Sequence, residues 1–400
     1  MPVEGARGST CRVRARRVVH GRRRARGLLA AIGVGGMLGA SLLIPDQVIS
    51  GTPVARSDQD GPSPASSTVP TDPCAGVIAS LSPRRQLAQL LVVGVDPKGP
   101  AAALAAVGQE QVGGIFLGGK ATALLVDGGL APVRDASALP LTVAVDDEGG
   151  RVQRVDALDG DLPSARTMAA TLSERQVRDL ARTRGDRLRA RGVTLDFAPV
   201  VDVGDQPDAA VIGDRSFSPD PAVATRYAGA FAAGLRDAGL LPVLKHFPGH
   251  GRATGDSHVT AVTTPPLEQL RAVDLAPYRD LPREGRVAVM LGHLTVPGLT
   301  DGVPASLSPA AYRLLRGELG FTGLTVTDDL GSMRAVSDRY DLPEAVLAAL
   351  RAGADVPFWS SGARLPQVLD RLTAALGTGE LAPARVTEAL GRVLRAKAAC

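Results

Sequence analysis

The chain has 400 residues, 44% of them hydrophobic but only 3% aromatic, and a formal net charge of +4. That length and apolar content exclude a disordered or fibrous chain and suit one large domain or two smaller ones. The charge is uneven: residues 1–26 hold nine arginines against one glutamate, which leaves the rest mildly acidic and speaks against a nucleic-acid-binding body.

Taken in order, the chain opens with Arg16-Arg17 and Arg22-Arg23-Arg24 ahead of residues 27–45, which carry no charge and are apolar apart from Ser41. A basic segment before such a run reads as an export signal, either cleaved or kept as a membrane anchor with the body outside. No cysteine follows the apolar run closely, so a lipoprotein anchor is not expected, and membrane contact is expected only through this segment. Residues 46–73 are broken by Gly, Pro, Ser and Thr and read as a linker. Cys74 and Cys400 then bracket the body, 74–400, and an exported chain can keep them paired as a disulfide.

From residue 74 onward, short apolar runs alternate with amphipathic stretches. The runs 90–95, 114–117, 141–145, 194–200, 241–244, 287–291, 324–327 and 354–358 lack period-two alternation, as parallel strands buried on both faces do. Between and after them, helical patterns cover 173–191, 220–238, 266–283, 308–319, 343–352, 363–376 and 384–399, with Ser or Asp starts and Gly stops. Eight such alternations predict a single α/β domain of the (β/α)8 TIM-barrel type. No Gly-x-Gly-x-x-Gly turn follows the first strand, and no cofactor is expected.

In a barrel the reacting groups sit at the C-terminal ends of the strands. Polar clusters follow several of the runs here: Asp146-Asp147-Glu148-Gly149-Gly150-Arg151-Val152-Gln153-Arg154, then Asp202 and Arg215, then Lys245-His246-Phe247-Pro248-Gly249-His250-Gly251 with Asp256-Ser257-His258, then His293, then Asp328-Asp329. Asp328, ending an apolar strand, suits attack on an electrophilic carbon, with Asp329 as an orienting or capping partner. Asp256 and His258, two apart, form a carboxylate–imidazole pair able to move a proton. Zinc is not expected: His246 and His250 are four apart, but Pro248-Gly249 between them forbids the helix that would bring them together. His293 either shapes a pocket or satisfies a strand end. Phe358 and Trp359 are expected to pack in the core more than to stack on a ligand.

These blocks, in this order, resemble the β-N-acetylglucosaminidases of glycoside hydrolase family 3. The resemblance implies a single catalytic barrel without a further C-terminal domain and a retaining hydrolysis of terminal β-linked N-acetylglucosamine, with peptidoglycan fragments (muropeptides) as the expected source. It places the nucleophile on Asp328 and the acid/base on His258 with Asp256 as its partner. It places sugar contacts on Asp146, Arg154, Arg215, Lys245 and His246. A monomer acting on a glycan is expected. The alternatives are a phosphorylase or β-glucosidase of the same fold and a non-catalytic wall-binding module. The sequence departs from the pattern at Thr327-Asp328-Asp329-Leu330-Gly331-Ser332-Met333, where Gly331 is an insertion that leaves Met333 without an assigned role.

Overall fold

A computed structural model describes residues 73–120, 122–256 and 260–400. The expected export segment, the linker up to residue 72, and His258 lie outside the described residues. Among the described residues no helix is long and apolar enough to cross a membrane.

Eight strands form one parallel sheet: β1 Val92–Val95, β2 Gly114–Leu117, β3 Thr142–Val145, β4 Leu195–Asp196, β5 Leu241–Phe247, β6 Ala288–Leu291, β7 Thr325–Thr327 and β8 Phe358–Trp359. They neighbour one another in sequence order, and β8 pairs with β1. A parallel bridge from Val326 to Val356, two residues before β8, closes the ring. The fold is thus the expected α/β barrel. Its strands are short and almost wholly buried, which is why they read as continuous apolar runs without alternation. Residues 194–200 give only a two-residue ladder before Pro199, which has no N–H to donate; Val200 then bridges back to Lys245.

Helix starts follow the sequence punctuation. Ser173 caps Glu174–Ala190 in a reciprocal box with Gln176, and Asp220 accepts from the N–H groups of Ala222 and Val223 ahead of Pro221. The expected helix 266–283 is instead two, Leu267–Ala272 and Ala276–Glu284. It breaks where Asp274, 1% exposed, turns inward to take Arg252 Nε at 3.2 Å. That buried ion pair overrides helix propensity. The expected helix 308–319 starts as an α-helix over Pro309–Arg313 and then widens into a π turn over Leu314–Glu318. A two-stranded ladder, Val262–Thr263 with Leu294–Thr295, was not expected from the sequence.

Inside the barrel, Phe116, Phe197 and Phe358 meet with ring centroids 4.9–5.5 Å apart. Three of only seven phenylalanines thus plug the ring. Trp359 is fully buried and donates Nε1–H to the Ala363 carbonyl, so it belongs to the core. At the ends of the body, Cys74 and Cys400 are bonded, with Cα atoms 5.1 Å apart.

Candidate active site

Above the phenylalanine plug, at the C-terminal ends of the strands, lies a cavity of about 510 Å³. Asp146, Arg154, Arg215, Lys245, His246 and Asp328 all line it. Each arrives there for a local reason. Asp146 is the first residue past β3 and Asp328 the first past β7, while Lys245 and His246 are among the last three residues of β5. Arg215 ends a short 3-10 turn, Gly213–Arg215, in the loop after β4.

The cavity wall is a charge network. Lys245, 2% exposed, donates to Asp146 at 2.7 Å and reaches Glu148 at 2.5 Å. Arg215 grips Glu148 with two parallel hydrogen bonds of 2.8 Å, and Arg154 stands 3.4 Å from Asp146. Burial works to raise the Glu148 carboxyl, but Arg215 and Lys245 outweigh it and hold it below the usual carboxylate range. Burial likewise opposes the charge of Lys245, yet Asp146 and Glu148 keep its ammonium above the ordinary lysine value. Both ends of this pair are therefore ionised.

His246 is fixed from below by Asp202, whose Oδ2 lies 2.7 Å from Nδ1. The other oxygen of Asp202 accepts from the backbone N–H groups of His246 and His250, at 3.2 and 2.7 Å. One buried carboxylate thereby holds the whole histidine turn. Two glycines allow it. Gly249 has φ +134°, and a Cβ there would sit 2.6 Å from the Asp274 side chain; at Gly251 it would sit 2.3 Å from the Val203 carbonyl oxygen. His250 faces the same cavity, and neither of its ring nitrogens has a hydrogen-bond partner among the described residues.

Asp328 is 8% exposed and accepts the Asp329 N–H on Oδ1 at 2.9 Å. Burial pushes its carboxyl up, but His246, that N–H and Lys245 together hold it below the ordinary aspartate value. Asp329 also lines the cavity, but its carboxylate is engaged: it accepts from the N–H groups of Gly331 and Ser360 and from the Ser332 hydroxyl. His293 is buried behind the pair. Its Nε2–H donates to the Asp329 carbonyl at 2.9 Å, so Nδ1 accepts from the Ser306 hydroxyl at 2.7 Å. Burial favours this neutral form, and the ring satisfies a strand end instead of lining the cavity. Met333, by contrast, does line it.

Asp256 is partly buried on the loop after β5, where its carbonyl accepts from the Thr260 N–H at 2.9 Å. It is not among the side chains lining the cavity. Glu148, Asp202 and His250 carry much of the site's geometry, and nothing in the sequence gave them a role. The one available signal was their position after strand ends.

At the C-terminal ends of β3 and β4 lies a second carboxyl pair. Asp196 is fully buried, accepts the Asp147 N–H at 2.9 Å, and is pushed well above the aspartate range by burial and by the Asp147 charge. An acid whose folded pKa is raised stabilises the fold below its unfolded pKa, and that contribution is lost as pH rises through the folded value. Asp196→Asn keeps the acceptor and removes the titration. Its unfolding free energy is expected to match the parent at about pH 4 and to fall less than the parent's between there and neutrality. Denaturant midpoints at the two pH values measure this; a cost above about 2 kcal/mol at neutral pH would mean an ionised Asp196.

Comparison with known proteins agrees with this geometry. Residues 83–396 match the glycosyl hydrolase family 3 N-terminal domain. The chain is 53% identical over 359 residues to the beta-hexosaminidase LpqI of Mycobacterium tuberculosis, covering 87% of this chain and 92% of that one. A solved family 3 glycosyl hydrolase from Mycobacterium smegmatis superposes with a TM-score of 0.78 at 54% identity, over 80% of this chain and 98% of that one. A family 3 β-N-acetylglucosaminidase from a Paenibacillus species does so with a TM-score of 0.76 at 32% identity, over 80% and 62%. With a barrel, a carboxylate-and-cation cavity at its C-terminal mouth, and similarity along almost the whole described body, this chain belongs to glycosyl hydrolase family 3.

Proposed function

We propose that this chain is an exported β-N-acetylhexosaminidase that removes terminal, non-reducing β-linked N-acetylglucosamine from muropeptides with retention of configuration. The observation that carries the reading is Asp328: an ionised carboxylate at the end of β7, facing a cavity rimmed by sugar-gripping cations and carboxylates. A plugged cavity of this size suits the end of a glycan and not its middle. The relatives' names, beta-hexosaminidase and β-N-acetylglucosaminidase, support the substrate class.

In this reading, an Asp328 oxygen bonds to the anomeric carbon as the glycosidic C–O bond breaks, and His258 gives its proton to the departing oxygen. Water then attacks the same carbon and passes a proton to His258, freeing Asp328. Asp256 orients the imidazole. Asp146, Arg154, Arg215, Lys245 and His246 hold the sugar hydroxyls and acetamide. A histidine in place of a second carboxylate suits an anionic leaving group, as a muropeptide carries. Residues 74–400 act as one catalytic domain, with 1–45 as the export segment and 46–73 as its linker.

The test is turnover of nitrophenyl N-acetyl-β-glucosaminide beside the glucoside, with and without phosphate. Hydrolysis of the acetamido sugar without phosphate is expected. A phosphate requirement would make the enzyme a phosphorylase, preference for the glucoside a β-glucosidase, and no turnover a binding module. His258→Ala is expected to cut kcat/KM on muropeptides by about 10²–10⁴-fold while barely touching kcat/KM on a dinitrophenyl glycoside, whose leaving group needs no proton. Equal loss on both substrates would remove His258 from the acid role.

A further inference from the structure

The phenylalanine plug leaves a second cavity on its other side. At the N-terminal ends of the strands lies a space of about 250 Å³. Its walls are Leu90, Leu141, Leu195, Leu241, Leu324 and Val356, each at or just before the start of a strand. Phe197 forms part of both cavities, so the two are back to back and not continuous parts of one groove. The space exceeds the ~150 Å³ that holds a benzene ring in a dry apolar cavity.

Polar groups gather at one side of this apolar space, and they are of one sign. Lys397, just past the helix Pro383–Ala396, brings its ammonium to the cavity, with Arg189 and Arg286 exposed at the rim. Among the described residues no aspartate or glutamate lines the space. Lys397 donates to the neutral Gln89 Oε1 at 3.1 Å and, among the described residues, forms no ion pair. Desolvation without a counterion pushes its amine down to about 7. At an apolar wall, with no anion beside it among the described residues, the amine keeps its charge only at a cost, which a bound anion would offset. Three residues further on, Cys400 is bonded to Cys74, which ties the wall that carries Lys397 to the start of the body.

We propose that the N-terminal mouth of the barrel is a second small-molecule site, which takes a carboxylate with an apolar tail. The tail lies among the leucines at the strand starts, and the carboxylate pairs with Lys397, with the two arginines guiding it in. The site is separate from the glycan cavity and stands whether or not the reading of that cavity holds.

The test titrates the full chain calorimetrically with octanoate, octanol and octylamine. Octanoate is expected to bind saturably, one per chain, at least about tenfold more tightly than octanol or octylamine. Lys397→Met is expected to erase the octanoate–octanol difference and leave glycosidase activity unchanged. Ala396→Trp, which blocks the mouth from a partly exposed rim position, is expected to abolish octanoate binding. N-acetylglucosamine is expected not to displace it. Absence of saturable binding, equal binding of octylamine, unchanged affinity in both variants, or displacement by N-acetylglucosamine would each overturn the assignment.

Discussion

Asp328→Ala is expected to lower kcat on a nitrophenyl N-acetyl-β-glucosaminide by on the order of 10⁴-fold or more, with the fold intact. The carboxylate faces the cavity instead of the core, so its removal leaves no packing defect; its Oδ1 gives up only one local bond, to the Asp329 N–H. What is lost is the negative charge that His246 and Lys245 surround. Two further measurements separate a nucleophile from a bystander. Azide added to the variant should restore turnover by taking the carboxylate's place and yield a glycosyl azide of inverted configuration. A fluorinated N-acetylglucosaminyl donor should leave its mass on the parent's Asp328-containing peptide. Activity within tenfold of the parent, or an adduct on another peptide, would remove Asp328 from the mechanism. The pH profile has a definite sign: a carboxylate held below the usual range stays ionised as pH falls, so the acid limb of kcat/KM should lie below the ordinary aspartate value.

Lys245→Met should cost both stability and affinity, and the two losses should come apart. The ammonium is clamped between Asp146 and Glu148 at 2.7 and 2.5 Å, so removing it leaves the buried Glu148 carboxylate facing the partly exposed one of Asp146. Arg215 remains on Glu148, but Arg154 reaches Asp146 only at 3.4 Å. The expected cost is about 3 kcal/mol of unfolding free energy, read from denaturant midpoints. Adding Asp146→Asn should return most of it, because the unpaired charge is gone. Turnover should not return. Losing a charged donor to a sugar hydroxyl costs roughly 1.5–3 kcal/mol, so kcat/KM should stay about a hundredfold down in the double variant. Recovery of activity along with stability would make Lys245 a structural brace only.

The barrel was legible because its evidence is local. Strands buried on both faces have to be short runs of Val, Leu and Ile, and 114–117 and 287–291 could hardly be anything else. Caps such as Ser173 and Asp220 likewise act on their own neighbours. The break at Asp274 was not legible, since its cause is Arg252, more than twenty residues away. The same holds for Asp202 under His246 and for Arg215 on Glu148: each is a contact across loops, and loop sequence does not say which loops meet.

The sequence by itself, then, determined the alternation that makes a barrel and the positions at strand ends where Asp146, Lys245 and Asp328 stand. Only the tertiary structure decided that these three share one cavity, that Asp202 and Glu148 fix its donors, and that three phenylalanines divide the barrel into two chambers. The physical reason is range: hydrophobic period and capping act within a few residues. Ion pairs and ring contacts are made between groups that only closure of the ring brings within a few ångströms.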